Sequence, residues 1–269
     1  MVEGLVNRKS GIVNRMIHST AIIHPKAQIG SDCKIGPYCI IGEHVTLGDG
    51  CKLHSHVVID GHTKLGKQND IFPFASVGLK TQDLKWKGGV TRLEIGDHNT
   101  IREHVSIHSA TNDGEATIIG SENTILAGSH IGHNVVMGNR VIISMAALAG
   151  HVIVEDHALV GGLAAVHQFC RIGRMAMIAG CSKVVSDVPP YMIVDGNPAE
   201  TRTINKIGLE RNGVSEEAQT ALRQAYKILF REGLTTSNAL ARIEKDLPSL
   251  PEVQHLAQFV RTSERGITK

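Results

Sequence analysis

Aromatic side chains are scarce in this sequence, at 3% of 269 residues with a single tryptophan. A core without rings has to be filled by aliphatic side chains in a regular arrangement. Long apolar runs are also missing. Nothing approaches the ~18 consecutive apolar residues of a membrane span, so no stable membrane insertion is expected. No basic-then-apolar leader opens the chain, and a secretory signal is not expected. Neither sign of charge dominates, with 28 Lys and Arg against 26 Asp and Glu. That balance argues against a broad nucleic-acid-binding surface. The five cysteines are odd in number and lack paired metal-type spacing. They read as reduced thiols in a cytoplasmic protein.

A period of six is what the sequence does contain. Aliphatic residues recur at Ile23, Ile29, Ile35, Ile41, Leu47, Leu53, Ile59, Leu65, Ile71 and Val77. The pattern resumes at Ile95, Ile101 and Ile107, and again at Ile119, Ile125, Ile131, Met137 and Ile143. After a five-residue step it runs through Leu148, Val154, Val160, Val166, Ile172, Ile178 and Val184. Glycine often follows the aliphatic residue, where a tight turn or a positive φ would favour it. Four positions beyond the aliphatic residue sit small or β-branched ones: Ala27, Cys33, Cys39, Val45, Cys51 and Val57. This pattern resembles the hexapeptide-repeat family. The resemblance implies a mainly β protein, a left-handed parallel β-helix with three hexapeptides per coil. One coil cannot bury its own inward residues, but stacked coils bury a continuous column. Cys33 and Cys51 are then expected to stack as small core residues.

The register breaks at roughly 79–93 and 109–117, and loops on a rigid scaffold are where function tends to sit. The pattern ends after Pro189-Pro190. From Ser215 the texture is helical, with Ser215 as N-cap and Glu216 and Glu217 in the first turn. Leu222, Tyr226, Leu229 and Phe230 form an apolar stripe at helical spacing. Two more helices are expected near 236–246 and 251–261. The expected organisation is an extension over 1–15, a β-helix over 16–190 and a small C-terminal α-helical domain over 191–269. Residues 1–15 read either as a disordered tail or as sequence before a true start at Met16.

If each insertion occupies one step between faces, Val77, Ile107, Ile131, Leu148 and Val166 share a face. His108, His133, His151 and His167 then become neighbours beside the loop after Val77. A near-neutral pKa suits histidine to acid–base work. The bland alternative is a solvated surface histidine, of which a chain with 15 histidines has several. His44 and His62 would lie on that face further toward the N-terminus. Zinc is a competing use of clustered histidines. His130 and His133 make a poor bidentate pair on a strand, because their side chains point to opposite faces. No metal and no cofactor is expected.

Several words of the sequence are more specific. Gln82-Asp83-Leu84-Lys85 lies in the first insertion, and Ser129-His130-Ile131-Gly132-His133-Asn134 on the histidine face. Leu148-Ala149-Gly150-His151-Val152, Val166-His167-Gln168-Phe169 and Asp187-Val188-Pro189-Pro190-Tyr191 follow in order. With the helical tail, these closely resemble the UDP-N-acetylglucosamine acyltransferase family of lipid A synthesis. The resemblance implies a homotrimer that moves a 3-hydroxyacyl group from acyl carrier protein to the 3-hydroxyl of UDP-N-acetylglucosamine. It implies His133 as general base and the Gly150 N–H as oxyanion donor. It implies Asp83, Lys85, His151, His167 and Gln168 as substrate-binding residues, with His108 beside them. Asn205 and Arg211 match nucleotide-contacting positions. Asp83 and Lys85 alternate around Leu84, so one extended loop would aim both at a cleft; their plainer use is a surface ion pair. Arg223, Lys227 and Arg231 form a basic stripe, either a dock for the acidic carrier or an ordinary solvated face.

The chain departs from the family pattern at three points. Asn134 stands where many relatives carry aspartate, and an amide supplies no negative charge to an imidazolium. Ile207 replaces a polar residue, and Asn212 replaces an arginine, on the nucleotide side. Two other readings stay open from the residues. One is acylation of a 3-amino sugar nucleotide. The other is a zinc hydratase of the carbonic anhydrase type, which zinc content by elemental analysis separates from both acyltransferases.

Overall fold

The computed structural model describes residues 16–269, so the expectation for residues 1–15 lies outside the described residues. The described residues divide into two compact units, the first ending at Val135 and the second spanning 136–269.

In the first unit the hexapeptides become strands of two to four residues, joined by short turns. They build three parallel sheets. The register pairs Met16 with Lys34, Ile22 with Ile40 and Gln28 with Thr46, one coil above the next. Within each strand the second residue points inward, as the two-residue pleat period requires. Ile35, Ile41, Leu47, Leu53 and Ile59 are all buried, while Lys34, Ile40 and Lys52 face out. The glycines after these aliphatic residues have a different reason from the expected one. Gly48 does not adopt a positive φ; a Cβ there would lie 2.5 Å from the backbone of Gly66 in the next coil. The positive-φ corners are instead taken by larger residues, among them His56, Phe74, His104 and Asn134.

Cys33 and Cys51 stack as expected, and each thiol donates to a glycine carbonyl at 3.2 Å. The same column continues as buried asparagines, which periodicity alone does not reveal. Asn69 Oδ1 accepts from the Asn99 backbone N–H at 2.9 Å, and Asn99 Oδ1 accepts from the Asn123 N–H at 2.9 Å. The amide nitrogens of Asn69 and Asn99 donate to glycine carbonyls at 2.9–3.0 Å. Buried amides persist only when so satisfied.

Both insertions loop out of a single step. Val77 pairs with Ile107, and Ile107 pairs with Ile131, so the inward column survives each break. The loop 80–91 leaves after the strand Ser76–Leu79, and the loop 109–115 leaves after the strand Ser106–His108.

The second unit opens on the shortened coil. Val136 pairs with Ile153 and Ile142 with Leu159, seventeen residues apart as the five-residue step demands. The full coil returns where Ala147 pairs with Ala165. Met177 pairs in parallel with Ile193, and the strand Met192–Gly196 turns back as a hairpin with Ala199–Ile204. Four helices follow: α1 (Lys206–Arg211), α2 (Glu216–Phe230), α3 (Thr236–Asp246) and α4 (Pro251–Arg261). Ser215 caps α2, its hydroxyl accepting from the Ala218 N–H at 3.1 Å. Leu222, Tyr226 and Leu229 are buried, with Ile243, Leu256 and Val260 in the same cluster, and Phe230 packs against its edge. Each buried Leu of that cluster contributes roughly 1.5–3 kcal/mol. The hairpin and α1 had no counterpart in the sequence reading. Among the described residues, no helix is long and apolar enough to cross a membrane.

Candidate active site

In the first unit, His133 sits at the corner that follows the strand His130–Ile131. Its ring is held by Asn134, the next residue, which adopts the left-handed conformation at φ 59°. The Asn134 side chain has only one consistent orientation. Its Oδ1 lies 3.0 Å from the Thr111 backbone N–H, which can only donate. Its Nδ2 lies 2.7 Å from Glu115 Oε2, and a carboxylate only accepts. Asn134 Oδ1 therefore faces His133 Nδ1 at 3.0 Å as an acceptor. His133 must carry its proton on Nδ1, which leaves the lone pair on Nε2. Asp83 Oδ2 lies 3.8 Å from that Nε2. Both side chains are largely withdrawn from solvent, His133 at 15% and Asp83 at 21% exposure. In such a place a charge developing on the ring meets less screening than at the surface.

The segment carrying Asp83 differs from the expected extended loop. Asp83 Oδ1 accepts from the Lys85 N–H at 2.9 Å, and the Asp83 carbonyl accepts from the Trp86 N–H at 3.1 Å. This side-chain-closed turn throws Leu84 fully into solvent. Aspartate favours such turns because its short carboxylate reaches the backbone two residues on. Asp83 is thereby fixed toward His133, and Lys85 is exposed. Behind the turn, the buried Thr81 and Thr111 hydroxyls lie 2.9 Å apart and join the two inserted loops.

His108 is buried, and its Nδ1 donates to the Lys80 carbonyl at 2.8 Å. Its ring lies 5.4 Å from His130, whose Nδ1 is 2.8 Å from Ser106 Oγ. Burial, then the neighbouring charges of His108 and His133, hold the His130 pKa below the ordinary histidine value. His44 and His62 stack face to face at 4.2 Å further toward the N-terminus.

In the second unit, Leu148 pairs with Val166, which sets Gly150, His151, His167 and Gln168 on adjacent coils. The Gly150 carbonyl accepts from the Phe169 N–H at 3.1 Å, and the His151 ring stacks on Phe169 at 4.6 Å. His167 Nδ1 lies 3.1 Å from the Gln168 carbonyl, and both residues are exposed. Asn205 and Arg211 bracket α1. Asn205 is its N-cap, accepting from the Gly208 N–H at 3.1 Å and donating to the Met175 carbonyl at 2.8 Å. Arg211 is exposed at the last turn. Of the basic stripe on α2, Arg223 and Lys227 are exposed, while Arg231 Nε donates to the Tyr226 hydroxyl at 2.8 Å.

Comparison with known proteins decides the family. A model described as bacterial transferase hexapeptide (six repeats) matches residues 16–48 and 26–61. One described as UDP N-acetylglucosamine O-acyltransferase, domain 2, matches residues 187–268. LpxA from Acinetobacter baumannii is 48% identical, covering 94% of this chain and 100% of its own, at a TM-score of 0.91. LpxA from Bacteroides fragilis, a UDP-N-acetylglucosamine acyltransferase, is 39% identical over the same shares at 0.91. UDP-N-acetylglucosamine O-acyltransferase from Moraxella catarrhalis is 41% identical over the same shares at 0.90. The chain belongs to the UDP-N-acetylglucosamine acyltransferase family.

Membership in that family makes the β-helix left-handed, with a small helical part at the C-terminus. Sequence reasoning treated His130 only as a zinc candidate and passed over Thr111 and Glu115. Among the described residues, no group of three or more His, Cys, Asp or Glu is placed to hold a metal ion. Glu115 carried no sequence signal, because an acidic residue beside a glycine in a loop reads as an ordinary turn.

Proposed function

We propose that this protein transfers a 3-hydroxyacyl group from acyl carrier protein to the 3-hydroxyl of UDP-N-acetylglucosamine, the first step of lipid A synthesis. The observation that carries the reading is the His133 ring, locked by Asn134 with its lone pair on Nε2 and with Asp83 beside it. A sugar hydroxyl is a poor nucleophile until a neighbour takes its proton, and a positioned base contributes about 10²–10⁴-fold. His133 Nε2 removes that proton as the oxygen attacks the thioester carbonyl. The Gly150 N–H receives the oxyanion, an interaction worth about 3 kcal/mol in other acyl transfers. Collapse of the tetrahedral intermediate breaks the C–S bond. The proton on His133 then passes to the leaving thiolate of the carrier.

Asp83 favours the imidazolium that forms midway, since an opposite charge nearby stabilises the protonated ring. Lys85, His108, His151, His167 and Gln168 are assigned to substrate binding, and Asn205 and Arg211 to the nucleotide. An arginine suits phosphate oxygens through its planar fork of donors. The working form is a cytoplasmic homotrimer, and the exposed Arg223 and Lys227 offer positive charge to the acidic carrier.

The test is direct. Purified protein is incubated with UDP-N-acetylglucosamine and 3-hydroxyacyl carrier proteins of several chain lengths, with the 3-amino sugar nucleotide as a competing acceptor. An ester-linked acyl-sugar nucleotide is the expected product. No transfer at any chain length overturns the reading, and exclusive amide formation moves it to the amino acceptor.

A further inference from the structure

A general base that accepts a proton becomes a cation, and the residue bonded to the far side of its ring is here a neutral amide. Asn134 cannot itself offset that charge. The charge stands one link further on. Glu115 Oε2 accepts from Asn134 Nδ2 at 2.7 Å, and Asn134 Oδ1 accepts from His133 Nδ1 at 3.0 Å. The three side chains thus form one unbroken chain of donors and acceptors that ends in a carboxylate.

This chain is held at every point. The Thr111 N–H occupies the second lone pair of Asn134 Oδ1, and the Asn134 N–H donates to Thr117 Oγ1 at 2.8 Å. The Glu115 carboxylate is itself pinned, because Asn112 Nδ2 lies 3.1 Å from both of its oxygens. The turn it closes is fastened by the Glu115 N–H, which donates to the Asn112 carbonyl at 3.1 Å. So placed, the carboxylate fixes which end of the Asn134 amide faces the ring, and it polarises that amide toward the ring. Hydrogen bonds in series strengthen one another in this way when one end is charged.

We propose that Glu115 is a positioning residue for the acyl transfer, acting on His133 through the Asn134 amide. It keeps the Nδ1–H tautomer in place and lends its negative charge to the imidazolium that forms as the sugar hydroxyl is deprotonated. This inference rests on His133 being the base, as proposed above. Asp83 and Glu115 then hold the two ring nitrogens from opposite ends, one by direct approach and one by relay.

Charge and geometry can be separated by substitution. Glu115→Gln keeps an acceptor for Asn134 Nδ2 and removes the charge. Its kcat is expected to fall about 3- to 10-fold with KM for both substrates within about two-fold, the pattern of an interaction made mainly in the transition state. Asn134→Asp alone places a second carboxylate against Glu115, where the contact is now 2.7 Å, and should lose much more. In the double variant Asn134→Asp/Glu115→Gln the charge sits directly beside the ring and the introduced glutamine amide donates to it, so kcat should return to near the native value. The effect of Glu115→Gln therefore changes sign between the two backgrounds, and its loss beside the native Asn134 falls on kcat and leaves KM and the melting temperature in place, a combination that a purely structural role would not produce. Thermal melting and assembly mass are checked for each variant. Should the double variant fail to fold, Glu115→Gln and Glu115→Asp still decide the matter by kcat alone.

An unchanged kcat in Glu115→Gln, or a loss that falls equally in both backgrounds, overturns the proposal. The unsubstituted protein is the control for the broader reading. If it transfers no acyl group, the acyltransferase assignment fails; if it does and the variants behave as just described for overturning, only the Glu115 role fails.

Discussion

His133 is held by contacts that leave its chemistry little freedom. Its Nδ1 proton is committed to Asn134, whose own orientation is forced by a backbone donor on one side and a carboxylate on the other. His108 is fixed in the same sense, with Nδ1 bonded to the Lys80 carbonyl. Fixing the tautomer in advance is how a base avoids reorganisation at the moment of reaction. His133→Ala should abolish measurable turnover, a loss of at least about 10²-fold if general-base catalysis is its role. Its melting temperature and assembly mass should match the native protein, because the ring fills no core position. Substantial residual turnover would show that the base lies elsewhere.

At the scale of the element, one coil is a small structure that is stable only against its neighbours. The inward aliphatic residue and the small corner residue were legible as a six-residue rhythm. The asparagine ladder was not, because asparagine in a periodic sequence reads as surface. Its meaning emerges only when Asn69, Asn99 and Asn123 stack and the backbone N–H groups of Asn99 and Asn123 each find the asparagine side chain one coil away. Asn99→Ala removes the acceptor for the Asn123 N–H and two donations, one to the Gly120 carbonyl and one to the Asn69 amide oxygen. A loss of about 1–3 kcal/mol for a buried group left unsatisfied is expected, read as a drop in denaturation midpoint with unchanged denaturant slope. A midpoint equal to that of the native protein would mean that the coil repacks without the ladder. The helices α2, α3 and α4 were legible for a local reason. Ser215, the acidic first turn and the 3.6-residue stripe all lie within a few residues of one another. The hairpin and α1 were not, since their residues match no long periodic window and are shaped by the strands and helices against which they pack.

For the molecule as a whole, the family likeness spans 94% of the chain, and so reaches from the β-helix to the C-terminal helices. The proposed assembly is a homotrimer. Sedimentation analysis should find a single species at three times the 29.0 kDa chain mass, and a monomer that remains active would remove the trimer from the mechanism.

The six-residue register belongs to the amino-acid sequence alone. It determined which face of the β-helix strands is buried, where the coils break and where one coil is short. It also singled out His108, His133, His151 and His167, because each follows closely on an inward aliphatic residue. Only the tertiary structure decided how the inserted loops return. The turn at Asp83 brings its carboxylate to His133, and the turn over 112–115 brings Glu115 to Asn134. The reason is physical: inward packing repeats locally and leaves a trace in spacing, whereas a contact between two loops depends on chain paths that no short-range pattern encodes.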